Sequence, residues 1–270
     1  MSFLEAIILG LVQGLTEFLP VSSSGHLVLT QELLGVKDKG VTFEILVHFG
    51  TLLSVVIYFR RPLWRMCLSI LPPWKEEYSK DRRLIGFLAL ASVPAAFVGF
   101  SPLKDLFEGA YDRPAMVGIF LVITGLLLFL PRIIRKATKD KEGSEIGWKA
   151  ALAMGLGQAF AILPGISRSG STIVSGMLAG AKSGAAAEFS FLMAIPAIAA
   201  ATLLEVRKLE SLDANLLGPY LAGSAIAFLS GLIAIFTVLA AIRRGKFEYF
   251  GIYCLIAGTI AFFYFRNLGA

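Results

Sequence analysis

Histidine and cysteine are the scarcest reactive residues in this sequence, with two of each, and neither pair is spaced as a metal site or a disulfide framework. Cys67 and Cys254 show no CxxC spacing and have no histidine companion nearby, so they read as structural filler. Charge is thin as well. Only 16% of residues are Asp, Glu, Lys or Arg, against 56% hydrophobic, and the mean hydropathy is +0.75. Soluble domains hold roughly 45–50% apolar residues, so water is not the main solvent of this chain. Met1 to Ile8 lacks a basic leader and a small-residue cleavage site, so no removable signal peptide is expected. A net charge of +6 would usually raise nucleic acid as a partner. Here the cations sit in short connections between apolar runs, where they signal orientation in a membrane, and nucleic acid is set aside.

Six apolar runs approach the ~20 residues a helix needs to cross hydrocarbon: about 42–59, 84–100, 115–130, 187–205, 219–242 and 248–265. Connections 60–83 and 131–149 and the turn 243–246 are rich in lysine and arginine and are expected on the cytoplasmic side. Connections 104–113 and 207–213 are poorer in cations, balanced by acids, and face outward. That alternation closes only if residues 1–41 enter and leave from outside and residues 148–185 from the cytoplasm. Both segments are therefore expected to be re-entrant, with the N- and C-termini outside. Each has the matching form: an apolar stretch of about 15 residues broken at Pro20 or Pro164, then a small-residue loop. Broken backbone at membrane depth is tolerated only against protein or a water-filled cavity, and a buried polar site is the natural reason to keep it.

The halves also match. At an offset of 145, Gln13 falls on Gln158, Ser22 on Ser167, Ser24 on Ser169 and Gly25 on Gly170, while Glu44 falls on Glu188 at 144. Equal element order with opposite orientation is the inverted repeat of transporters. The expectation is an all-α polytopic membrane protein of six transmembrane helices and two re-entrant helix-loop-helix hairpins. It forms one membrane domain over 1–270, with inverted-repeat halves about 1–130 and 148–270 whose loops meet near the midplane.

Chemistry concentrates in those loops. Gln13 and Glu17 are four apart, so they share a face of the first half-helix and can present oxygens to one cation or proton. Ser22, Ser23, Ser24 and Gly25 bring hydroxyls and backbone N–H groups to the start of the returning helix, whose N-terminus favours an anion, and His26 lies in its first turn. An ionisable side chain at this depth costs ~2.5–3.5 kcal/mol and points to function. In the second loop Arg168 stands between Ser167 and Ser169, after Gly165 and before Thr172, a set suited to gripping phosphate. Together the loops offer an acid, a histidine, hydroxyls and a guanidinium, an inventory that fits phosphoryl transfer.

Simpler readings weigh against some of these. Serine and glycine clusters in membrane helices more often serve close packing. Glu44 and Glu188, candidates for substrate contact, lie near span ends where solvation explains them at least as well. His48, four residues after Glu44, reads better as a helix-packing histidine. Arg168 has few structural excuses beyond pairing with Glu17 or Glu188.

The segment Gln13 to His26 and the segment Pro164 to Thr172 resemble the two signature motifs of the bacterial undecaprenyl-diphosphate phosphatases, the bacitracin-resistance family. The stretches Thr42 to Thr51 and Ala186 to Pro196 extend the resemblance over essentially the whole chain. It implies six spanning helices and two re-entrant hairpins in the cytoplasmic (inner) membrane of a bacterium. It also implies hydrolysis of C55 prenyl diphosphate to the monophosphate carrier lipid and inorganic phosphate. Glu17, Ser23, His26 and Arg168 match positions the family treats as catalytic or essential, with Ser22, Ser24, Ser167, Ser169 and Thr172 around the diphosphate. A divalent cation, Mg or Ca, is implied as assistant. The motif's first acid is Gln13 here, an alternative the motif admits; an amide can ligate a metal but cannot neutralise it, so Glu17 with Gln13 replaces a two-carboxylate site.

Partners implied are the prenyl diphosphate and membrane lipids, with a homodimer left open. The competing reading is a carrier-lipid transporter or flippase, since inverted repeats with broken helices are transporter architecture. A phosphatidic-acid-phosphatase type is rejected: Ser24 to His26 resembles part of its motif, but the flanking elements are missing.

Overall fold

Helix α1 (Phe3–Phe18) begins on a capping box in which the Ser2 hydroxyl accepts the Glu5 N–H and the Glu5 carboxylate accepts the Ser2 N–H. It stops two residues short of Pro20, whose ring cannot continue a helix. The chain returns as α2 (Ser23–Leu34), which Gly35 closes in the left-handed region at φ +64°. There follow α3 (Val41–Tyr58), α4 (Arg60–Ile70), a 3-10 turn (Glu76–Tyr78), α5 (Ser79–Gly99) and α6 (Pro114–Thr138). The second half runs through α7 (Trp148–Phe160), α8 (Arg168–Leu178), α9 (Ser183–Glu205), α10 (Ala214–Arg243) and α11 (Glu248–Asn267). This is a computed structural model that describes residues 1–36, 41–70, 75–101, 113–138, 143–205 and 214–268. The one β pairing among them is an isolated parallel bridge between Ser144 and Ala181, which ties the approach to α7 to the end of α8.

The all-helical polytopic fold expected from the sequence is the fold observed. Among the described residues, five helices are long and apolar enough to cross a membrane: α5 with its 3-10 turn, α6, α9, α10 and α11. α3 and α4 bring the number to six only if they are taken as one crossing, and they are bent by 77° between Tyr58 and Arg60. The four helices of the two hairpins hold 16, 12, 13 and 11 residues. At 1.5 Å per residue they reach only ~17–24 Å, short of the ~30 Å hydrocarbon core. Pro94, Pro131, Pro196 and Pro219 lie inside longer helices, as membrane helices allow. Connections 104–113 and 207–213, expected to face outward, lie outside the described residues except for Arg113.

Segment 60–83 differs from the bare connection the sequence suggested. It contains α4, which buries Met66 and Ser69 while leaving Arg60, Arg61, Trp64 and Arg65 exposed. Arginines cannot follow α3 through hydrocarbon, so the chain turns into the interface as an amphipathic helix.

Small residues set how closely the helices approach. α6 and α11 meet backbone to backbone: a Cβ on Gly118 would lie 2.9 Å from the Gly258 carbonyl oxygen, and one on Gly258 would lie 2.6 Å from that of Gly118. α1 lies against α10 through Gly10 and Gly223, and α7 against α5 through Gly155 and Ala91. Gly10 and Gly155 are again 145 residues apart. Beneath the first loop, Phe18 packs edge-on against Phe191 of α9 with centroids 5.4 Å apart, an apolar floor under its neighbour Glu17.

Candidate active site

Glu17, on the last turn of α1, is the centre of the polar core. Its side chain is 4% exposed. Oε1 pairs with Arg168 Nη2 at 2.5 Å, and Oε2 accepts the Ser23 hydroxyl at 2.6 Å and Gln13 Nε2 at 2.8 Å. His48 Nε2, on α3, lies 3.9 Å from the same Oε2. One carboxylate thereby joins both re-entrant loops and helix α3. Its charge is buried, paired and hydrogen-bonded, which is the condition for tolerating it in a low-dielectric interior. Arg168 keeps 20% of its side chain exposed, so the guanidinium has N–H groups left for an incoming anion.

The first loop is strained in one place. Ser22 has φ 69° and ψ 96°, the only left-handed non-glycine backbone among the described residues. That turn lets its carbonyl accept both the backbone N–H of His26, at 3.1 Å, and the ring Nδ1 of His26, at 2.8 Å. The Ser22 hydroxyl accepts the Gly25 N–H at 3.3 Å and lies 3.4 Å from the Ser24 hydroxyl. His26 Nε2 faces the Tyr253 hydroxyl at 2.7 Å.

The second loop repeats the pattern. Ser167 caps α8 by accepting the Gly170 N–H at 3.0 Å and lies 3.2 Å from the Ser169 hydroxyl. Each of those residues is the partner, at offset 145, of one in the first loop. The loops touch: a Cβ on Gly25 would sit 3.0 Å from the Gly165 Cα, and the Ser169 hydroxyl donates to the Leu19 carbonyl at 3.0 Å. Gly165 has φ +97°, and Thr124 on α6 holds it there. The Thr124 hydroxyl donates to the Gly165 carbonyl at 2.8 Å and accepts the Ser167 N–H at 3.0 Å. Thr172 donates to the Arg168 carbonyl at 2.9 Å and lies 2.6 Å from the Ser190 hydroxyl.

Residues 6–260 match the family described as bacitracin resistance protein BacA. The chain belongs to that family. It is 44% identical to an undecaprenyl-diphosphatase of Syntrophotalea carbinolica, across 97% of this chain and 98% of the relative. It is 39% identical to one of Methanobrevibacter smithii, across 97% of each chain, and 40% identical to one of Carboxydothermus hydrogenoformans, across 96% of each.

Not every candidate of this BacA-family chain lies at the centre. Gln13, Glu17, Ser23 and Arg168 meet directly, and Ser22, Ser24, Gly25, Gly165, Ser167, Ser169 and Thr172 form the surrounding loops. Glu44 is engaged elsewhere: its carboxylate accepts Gln31 Nε2 at 3.4 Å. Its backbone carbonyl accepts the His48 ring at 2.7 Å. Glu188 pairs with Arg243 at 2.5 Å. His48, by contrast, reaches Glu17 rather than serving helix packing alone. Its i, i+4 relation to Glu44 was the visible signal. Thr124 and Tyr253 arrive from distant helices and carry no local motif.

No group of three His, Cys, Asp or Glu able to hold a metal occurs among the described residues. A fitting feature is Gln13 Oε1, buried without a hydrogen-bond partner on a side chain whose amide already touches Glu17. A cation sharing the substrate's oxygens could take that oxygen and Glu17 as its protein donors.

Proposed function

We infer that this chain is an undecaprenyl-diphosphatase: an integral membrane hydrolase that converts undecaprenyl diphosphate to undecaprenyl phosphate and inorganic phosphate. The reaction recycles the carrier lipid of peptidoglycan synthesis and gives resistance to bacitracin, which the family's description names. The membrane is the bacterial cytoplasmic one, with both chain termini outside and the two halves related as an inverted repeat. The twin loop pattern at offset 145 supports that repeat.

The observation that carries the mechanism is Glu17, with Ser23 on one oxygen and Arg168 on the other. The diphosphate takes the free N–H groups of Arg168 and the N–H groups of the two helix starts, where charge accumulates as phosphorus is attacked. It competes with Glu17 for the guanidinium, and Glu17 is then free to take the Ser23 proton. The Ser23 Oγ–P bond forms as the bridging P–O bond breaks, and prenyl monophosphate leaves. Ser23 and His26 are three apart on α2 and share a face. Water then attacks the phosphoserine and its proton passes to His26 Nε2. Ser23 Oγ leaves and recovers its proton from Glu17, and the proton on His26 Nε2 departs with the inorganic phosphate or to water. A divalent cation held by Glu17 and Gln13 with the substrate oxygens would offset the diphosphate charge.

Phosphate release from C55 prenyl diphosphate by purified protein in detergent tests the reading. Turnover is expected there and is expected to fall at least ~10²-fold in Ser23→Ala and His26→Ala. Absence of turnover in detergent would point instead to carrier-lipid transport, the reading not favoured. Near-normal turnover in Ser23→Ala would remove Ser23 as nucleophile.

A further inference from the structure

The Tyr253 hydroxyl lies 2.7 Å from His26 Nε2, and the two rings stack 5.6 Å apart at 14°. Tyr253 belongs to α11, 227 residues along the chain from His26. The other ring nitrogen, Nδ1, faces the Ser22 carbonyl, which can only accept a hydrogen bond, so Nδ1 carries the proton. Nε2 of the neutral ring is then a lone pair, and the phenol donates into it. The contact is braced, because the neighbouring Cys254 Sγ donates to the Pro20 carbonyl at 3.8 Å and fixes this turn of α11 against the first loop. His26 is therefore clamped by an acceptor at one nitrogen and a donor at the other. Its reactive lone pair is occupied before any substrate arrives.

We propose that Tyr253 is a positioning residue that caps His26 Nε2 in the resting protein, and that substrate must displace its hydroxyl before that nitrogen can act. The proposal rests on the role given to His26 above. A cap has two consequences that a merely structural tyrosine lacks. Removing the hydroxyl exposes the lone pair to small electrophiles. It also relieves the substrate of breaking a hydrogen bond on binding, which lowers KM while leaving kcat in place. The size of both effects is that of one net hydrogen bond, roughly 2- to 12-fold.

The test uses the full-length protein in detergent, treated with diethyl pyrocarbonate, with carbethoxylation of His26 and His48 followed by peptide mass spectrometry. Tyr253→Phe keeps the stacked ring and removes only the hydroxyl. His26 is expected to react roughly 2- to 12-fold faster in that variant, with His48 unchanged and KM for prenyl diphosphate lower by a similar factor. Equal or slower modification of His26 overturns the cap, as does a fall in kcat with unchanged KM. Should the phenylalanine variant fail to fold, a single fluorotyrosine at 253, a stronger donor of nearly the same size, must slow His26 modification. An unchanged rate there overturns the proposal. Failure of the catalytic reading shows separately: near-normal phosphate release by His26→Ala removes the role of His26 while the modification rates still report the cap.

Discussion

Removing Arg168 is expected to destabilise the protein more than neutralising its partner does, and doing both is expected to recover part of the loss. Arg168→Ala strands the Glu17 carboxylate, which is 4% exposed. Breaking a buried pair from one side costs about 3–5 kcal/mol. Gln13, Ser23 and His48 remain around Glu17, so the lower end, about 3 kcal/mol, is the expected cost. Glu17→Gln keeps an oxygen for the Ser23 hydroxyl and the Gln13 amide but strands a guanidinium that is 20% exposed and can turn toward water. It loses one charge-assisted hydrogen bond, about 1.5 kcal/mol. The double variant has no charge left unpaired and should resemble Glu17→Gln, giving a coupling of about 3 kcal/mol. At roughly 2–4 °C per kcal/mol, thermal unfolding in detergent should fall by ~6–12 °C in Arg168→Ala and by ~3–6 °C in the other two. Turnover of Arg168→Ala should fall on the order of 10²- to 10³-fold, as when a donor to a developing anion is lost. Additive losses in the double variant would refute the buried-pair reasoning, and Arg168→Ala turnover within threefold of normal would refute the clamp.

Thr124→Val, nearly isosteric, leaves the Gly165 carbonyl and the Ser167 N–H without their partner, and is expected to cost about 1–3 kcal/mol in thermal unfolding and to depress kcat through the displaced loop. Gly165→Ala places a methyl 2.7 Å from the Phe120 Cβ and the Val117 carbonyl oxygen at a left-handed φ. Loss of at least ~1–3 kcal/mol and of most turnover is expected, where a normal melting temperature would show that the loop is not held as described. Chelator is expected to suppress phosphate release and magnesium or calcium to restore it, and Gln13→Leu, which removes the unpartnered oxygen, should raise the cation concentration needed for half-maximal rate.

The spans were legible because hydrocarbon imposes one rule on every residue of a run, and a run of about 20 apolar residues obeys it without reference to anything distant. The hairpins were legible for the converse reason: Pro20 and Pro164 interrupt stretches already too short to cross. The bend between α3 and α4 escaped notice because arginines following a span read equally as a loop or as an interfacial helix. Within the site, Glu17, Gln13 and Ser23 share one short segment, and Arg168 announces itself by charge. Tyr253 and Thr124 gave no sign, since each acts through a single hydroxyl from a helix more than 40 residues from its partner. The left-handed Ser22 was equally hidden: nothing in a run of three serines tells which one will be turned.

The glycine contacts between α6 and α11, and between α1 and α10, each join a helix of the first half to one of the second. Where two backbones touch with no side chain between them, sliding by even part of a turn drives a bulkier neighbour into the carbonyl that the glycine had accommodated. A machine that rocked its halves to carry cargo across would have to prise open both seams in every cycle. Fastened this way, the scaffold favours a fixed crucible for chemistry, in which the reactants come and go while the walls stay still.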